Sequence, residues 1–108
     1  MIQVTGVRAA TAANILASTD LQTAPSAGIV LFWVASTQAD TLITISAPPS
    51  LASRNINPML RTNGVPLVSD DSPVAVAVRG GEQIVLQMTV VTGCTFGYVV
   101  KFIPSEEL

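Results

Sequence analysis

The chain has 108 residues and no histidine, so the side chain that most often serves as a general base at neutral pH is absent. Acid–base or nucleophilic chemistry would have to come from Asp20, Asp40, Asp70, Asp71, Glu82, Glu106, Glu107 and the single thiol of Cys94. Two carboxylates are enough for glycoside hydrolysis when they flank a bond at a set separation. Their sequence contexts point elsewhere. Asp20 follows Ser18-Thr19, Asp40 precedes Thr41, and Asp70-Asp71 lies between Ser69 and Ser72. These are settings in which Asx turns place Asp for backbone reasons. Cys94 has no flanking charge to lower its pKa, and Gly93-Cys94-Thr95 reads as a turn with a small half-buried filler. The expectation is a non-enzymatic protein.

Ligand chemistry is equally sparse. Ser69-Asp70-Asp71-Ser72 is rich in oxygen but lacks the ligand spacing of a calcium loop, and one cysteine forms neither a zinc site nor an internal disulfide. Gly80-Gly81 precedes no helix and no P-loop lysine, so it reads as a hairpin corner rather than a phosphate cradle. No metal or cofactor is expected. Phe32, Trp33, Phe96, Tyr98 and Phe102 would make a sugar-stacking platform if exposed. Yet Phe32 and Trp33 fall in the most apolar run, and Tyr98 and Phe102 alternate with Val100 as core residues do.

The elements that would position these groups read as strands. Candidates are 2–7, 14–18, 29–36, 41–47, 65–68, 74–79, 83–91 and 97–103, rich in Val, Ile, Thr and aromatics and separated by Gly, Pro, Asn and Asp. The alanines of 9–17 would tolerate a helix, but the segment is read as extended. Seven or eight short strands without helical periodicity predict an all-β, single-domain β-sandwich over 1–108, jelly-roll-like in its strand count. The segment 47–64, with three prolines and two arginines, reads as a long loop or arm. It would either reach a neighbouring chain or fold over the end of its own sandwich.

Charge is thin. Apolar residues make up 49% and charged residues 11%, so disorder is excluded and much of the surface must be hydroxyl, amide or aliphatic. Residues 21–39 and 83–100 carry no charge at all. In 74–91, Val74, Val76 and Val78 share one face and Ala75 and Ala77 the other. Beyond the glycines, Ile84, Leu86, Met88 and Val90 oppose Val85, Gln87, Thr89 and Val91. Neither face is clearly wet, and edges with so few charges are prone to pair with other chains. Association is the expectation. The five cations are scattered, which argues against a nucleic-acid surface. The start MIQVTGVRAATAANILAS lacks a basic region followed by an apolar core, and Ile29–Ala35 is too short to span a bilayer, so no membrane partner is expected.

Asn14-Ile15-Leu16-Ala17, Gly28-Ile29-Val30-Leu31, Asp40-Thr41-Leu42-Ile43, Asn57-Pro58-Met59, Gly80-Gly81-Glu82-Gln83-Ile84-Val85-Leu86 and Gly97-Tyr98-Val99-Val100-Lys101 follow one another along most of the chain. In this order the chain resembles the small β-sandwich or jelly-roll structural proteins of bacteriophage virions, such as decoration (cement) and minor capsid proteins. The resemblance implies a homo-oligomer on the capsid surface, partnered by copies of itself and a major capsid protein, that stabilises the shell through β-rich contacts. The expected contact residues are Ile2 and Val4 at the N-terminus and Arg54, Asn55, Ile56, Met59, Leu60 and Arg61 on the arm. Two other classes stand beside this one. A glycan- or host-surface-binding module would expose aromatics, and a subunit of a fibre would leave a donor strand unpaired.

Overall fold

A computed structural model of the chain describes residues 2–8, 14–17, 19–37, 42–47, 51–56, 58–61, 63–68, 72–89 and 95–107. The strands are β1 (Ile2–Arg8), β2 (Gly28–Ser36), β3 (Leu42–Ala47), β4 (Leu51–Ile56), β5 (Met59–Leu60), β6 (Val74–Val78), β7 (Val85–Thr89) and β8 (Phe96–Pro104). A single 3₁₀ turn, Ser105–Glu107, follows. No α-helix occurs among the described residues. Alternation explains the strands directly. Val30, Phe32 and Val34 of β2, Phe96, Tyr98, Val100 and Phe102 of β8, Val76 and Val78 of β6, Ile43 and Ile45 of β3, and Leu86 and Met88 of β7 all enter one core. Period-two patterning thus gives each sheet one inward apolar face.

The strands form two sheets. One runs β1-β8-β2, with the far edge of β2 shared between β6 along Gly28–Phe32 and β5 at Ala35–Ser36. The other runs β4-β3-β7. Beyond β7, the segment 14–24 takes the next place. Ile15 N–H donates to Leu86 O at 2.8 Å, Ile84 N–H to Gln22 O at 3.0 Å and Ala24 N–H to Glu82 O at 2.8 Å, and Thr23 bridges Gln83. With that segment counted as second in order, the antiparallel partners nest: first with last (β1·β8), second with β7, then β2·β6, then β3·β4. A long hairpin rolled up on itself gives this nesting, which is the jelly-roll pattern of two Greek keys. The sequence expectation of an all-β sandwich with jelly-roll character holds.

Several local expectations do not. The segment 47–64 is not one long loop: 51–56 is β4, antiparallel to β3 with a register shift between Ile45 and Ala47, and 59–60 is β5, parallel to β2. Arg54 is tolerated in β4 because that strand is the edge of its sheet, where an exposed charge is harmless, and Pro58 precedes β5 rather than lying in it. Residues 14–17 form a hydrogen-bonded turn and 65–68 run without strand pairing. Gly80-Gly81 does make a tight turn, with Gly81 at φ 86° and Glu82 N–H donating to Arg79 O. It is not a hairpin, however, because β6 and β7 belong to opposite sheets. The turn carries the chain from one layer to the other.

Candidate functional site

The described acidic groups do not converge. Asp20 is exposed in the turn after Thr19, and Glu106 is exposed in the C-terminal 3₁₀ turn. Glu82 is the buried carboxylate, and its Oε1 accepts the N–H of Arg79, closing the Gly-Gly turn on itself. Asp40, Asp70, Asp71 and Cys94 lie outside the described residues, as does the Glu107 side chain. Among the described residues no group of three potential metal ligands comes together. The gap between the sheets lined by Val30, Phe32, Ile45, Ala47, Val76 and Ile84 has no room for the centre of a water molecule.

The aromatics are packed rather than displayed. Phe96 and Tyr98 lie with ring centroids 5.9 Å apart and planes at 22°, inside the core with Phe32 and Phe102. Trp33 is the exception in direction. Its place on β2 is opposite in parity to Phe32 and Val34, so it faces outward, yet only 7% of it is exposed. Lys101 lies across it, with Nζ 5.4 Å from the ring centroid. No open stacking platform exists among the described aromatics.

What the fold does build is a difference between its two outer faces. On the β1-β8-β2-β6 sheet, the outward residues include Ile29, Leu31 and Trp33 of β2, Val99 and Ile103 of β8, Ala75 and Ala77 of β6, and Val7 of β1. The registers Trp33↔Val99, Ile29↔Ile103 and Leu31↔Ala75 set these side by side, although Trp33 and Val99 are themselves covered, at 7% and 8% exposed, and Gln3 and Thr5 of β1 are polar members of the same face. Lys101, drawn down onto Trp33, is the charge among them. On the β4-β3-β7 sheet the outward residues include Thr44, Ser46, Asn55 and Gln87, and Thr44 Oγ1 donates to Asn55 Oδ1 at 2.9 Å. One outer face is therefore mostly aliphatic around β2 and β6, with Gln3, Thr5 and Lys101 toward β1, and the other is mostly hydroxyl and amide, with Val85 among them.

At one end of the apolar face the chain crosses over itself. Asn63 Oδ1 accepts Val65 N–H at 3.1 Å in an Asx turn, and Gly64 adopts φ 71°. This lays Gly64 and Val65 directly on Gly97 of β8, where a β-carbon would come within 2.2 Å of Gly64 O. The crossing covers Ala35 and leaves Val65 and Leu67 38% and 45% exposed, beside Val7 at 55%.

The expected contact residues are spread over different surfaces. Ile2 and Val4 turn inward and pack against the core, and the outward residues of β1 are Gln3, Thr5 and Val7. Ile56 is buried against the core. Arg54 and Asn55 are exposed on β4, at the edge of the polar sheet. Leu60 is 59% exposed on β5 beside the other sheet, and Arg61 N–H donates to Ser36 O, anchoring the chain as it leaves β5. The side chain of Met59 lies outside the described residues. The described arm residues therefore sit on the edges of different sheets, and reading along the sequence did not group the outward residues of β2 and β8. Their signal is present in 29–35, where every position is apolar: a strand buried on one side only would alternate.

In comparisons with protein-family models, curated proteins and solved structures, nothing matches this chain.

Proposed function

We propose that this chain is a non-enzymatic structural protein of a phage virion, which attaches to the major capsid protein and stabilises the shell from its surface. The observation that carries the reading is the asymmetry of the sandwich. A small domain with one apolar outer face and one hydroxyl- and amide-rich outer face is suited to lie flat on a larger surface and show its polar side to water. Strands of seven, nine, nine and five residues, at about 3.4 Å per residue and about 4.8 Å apart, give a footprint of roughly 500 Å², smaller than the roughly 800 Å² each partner contributes in a standard interface. Many copies on one lattice multiply a modest contact. The rolled-hairpin topology agrees with the resemblance to phage β-sandwich structural proteins, and the packed aromatics weigh against the glycan-binding alternative.

The test is co-sedimentation with capsids of the phage concerned. Wild-type protein should pellet with capsids in a saturable manner. Ala75→Glu should fail to pellet, because Ala75 is exposed on the apolar face opposite Leu31 and its side chain is outside the core. Equal pelleting of the two proteins would remove the apolar face from the reading, and no pelleting of either would remove the reading itself.

A further inference from the structure

Each sheet of a sandwich ends in two edges, and an edge strand exposes backbone N–H and C=O groups that template pairing with another chain. This fold guards three of its four edges. The β7 edge is covered by 14–24, where Asn14 acts as a backbone surrogate: its Oδ1 accepts Leu86 N–H at 3.1 Å and its Nδ2 donates to Ile84 O at 3.3 Å. The β4 edge carries exposed Arg54 and pairs with β3 through a register shift. The edge beyond β2 is broken into five-residue β6 and two-residue β5. The remaining edge, β1, is neither covered, shifted in register nor broken among the described residues. It runs seven residues, Ile2–Arg8, in unbroken register with β8, without proline, and with one charge at its far end. Among the described residues nothing pairs with its outer side.

We infer that β1 pairs antiparallel with β1 of a second copy about a two-fold axis, joining the two β1-containing sheets into one. The occupant is a second copy because a strand edge is complementary to itself under a two-fold axis, and because pairing centred on the middle residue, Thr5, opposes Gln3 to Val7 and Val4 to Gly6, with no like charges facing each other. It also shelters Ile2 and Val4, which the monomer leaves only partly buried. The merged sheet carries the two apolar outer faces side by side, doubling the flat surface offered to a partner. This inference does not rest on the virion reading. A soluble dimer that ignores capsids would sink only that reading, and a capsid-bound monomer would sink only this one.

The test is mass by light scattering over a concentration series, with two edge variants. Wild type should reach twice the monomer mass. Thr5→Lys, which changes an exposed side chain and sets two ammonium groups opposite each other, should weaken the dimer about tenfold or more while leaving the circular dichroism and melting temperature of the monomer unchanged. In a Cys94→Ser background, Thr5→Cys should cross-link to a dimer on mild oxidation, since facing residues of an antiparallel pair have Cα atoms about 4.5–5.5 Å apart, within disulfide range. Gln87→Cys, exposed on the other sheet, should remain monomeric on the same gel. A wild type monomeric at every concentration, a dimer indifferent to Thr5→Lys, or equal cross-linking at Thr5 and Gln87 would each overturn the inference.

Discussion

Gly97 is where one missing methyl group shapes the surface. The crossing of 63–68 over β8 brings backbone to backbone, and a β-carbon at Gly97 would sit 2.2 Å from Gly64 O and 3.0 Å from Val65 Cα. Neither neighbour is a flexible side-chain end, so the crossing segment must lift. Gly97→Ala should therefore lower stability by about 1–3 kcal/mol, read as a shift in the urea midpoint, with increased proteolysis between 61 and 68. Glu82 works in the opposite sense, by supplying an atom. Its buried carboxylate holds the Arg79 N–H at the turn between the sheets. Glu82→Ala should cost about 1–3 kcal/mol in the same assay, because a backbone donor in a partly buried turn loses its acceptor. The turn residues Asn63-Gly64 and Gly80-Gly81 are legible in the sequence because their φ requirement belongs to the residue itself. Glu82 is legible only as an acid, since its burial follows from where two sheets meet.

At the scale of elements, strands rich in β-branched and aromatic residues announce themselves: 2–8, 28–36, 74–78 and 96–104 lie within a residue or so of the expected limits. Two elements do not. β4 reads as a loop because its composition is that of an edge, and edge strands need neither alternation nor apolar bulk. The segment 14–17 reads as a strand because it holds a strand's position, beside β7, but it does so through a side chain. Asn14 Oδ1 also accepts Leu16 N–H at 3.0 Å, so one amide closes a local turn and caps a sheet edge together. Asn14→Ala strips the acceptor from two backbone donors and should cost about 1–3 kcal/mol. Hydrogen exchange should show faster exchange at Leu86 in this variant, with the central β2–β8 ladder unchanged. Protection at Leu86 equal to wild type would show that Ile15 alone holds the edge. The expected contact residues are dispersed for a related reason. Grouping by position along 47–64 assumes one arm, whereas β4 and β5 send its residues to the edges of different sheets.

The whole molecule is a sandwich with unlike sides. Low overall charge leads the sequence to predict association without saying which surface would associate. That depends on which alternate residues of 29–35 and 97–103 face out, and on the chain crossing at Gly97. The core takes Phe32, Phe96, Tyr98 and Phe102, leaving Trp33 beneath Lys101 as the aromatic centre of the outer apolar face. In the proposed reading, the mostly aliphatic outer face is the one that lies on the shell. The most direct measurement is the protein composition of gradient-purified phage particles from cells expressing the chain, by quantitative mass spectrometry. The account predicts this chain in the particles at a fixed stoichiometry to the major capsid protein, in many copies. Its absence from particles, with the chain abundant in the soluble fraction of the same lysate, would contradict the account.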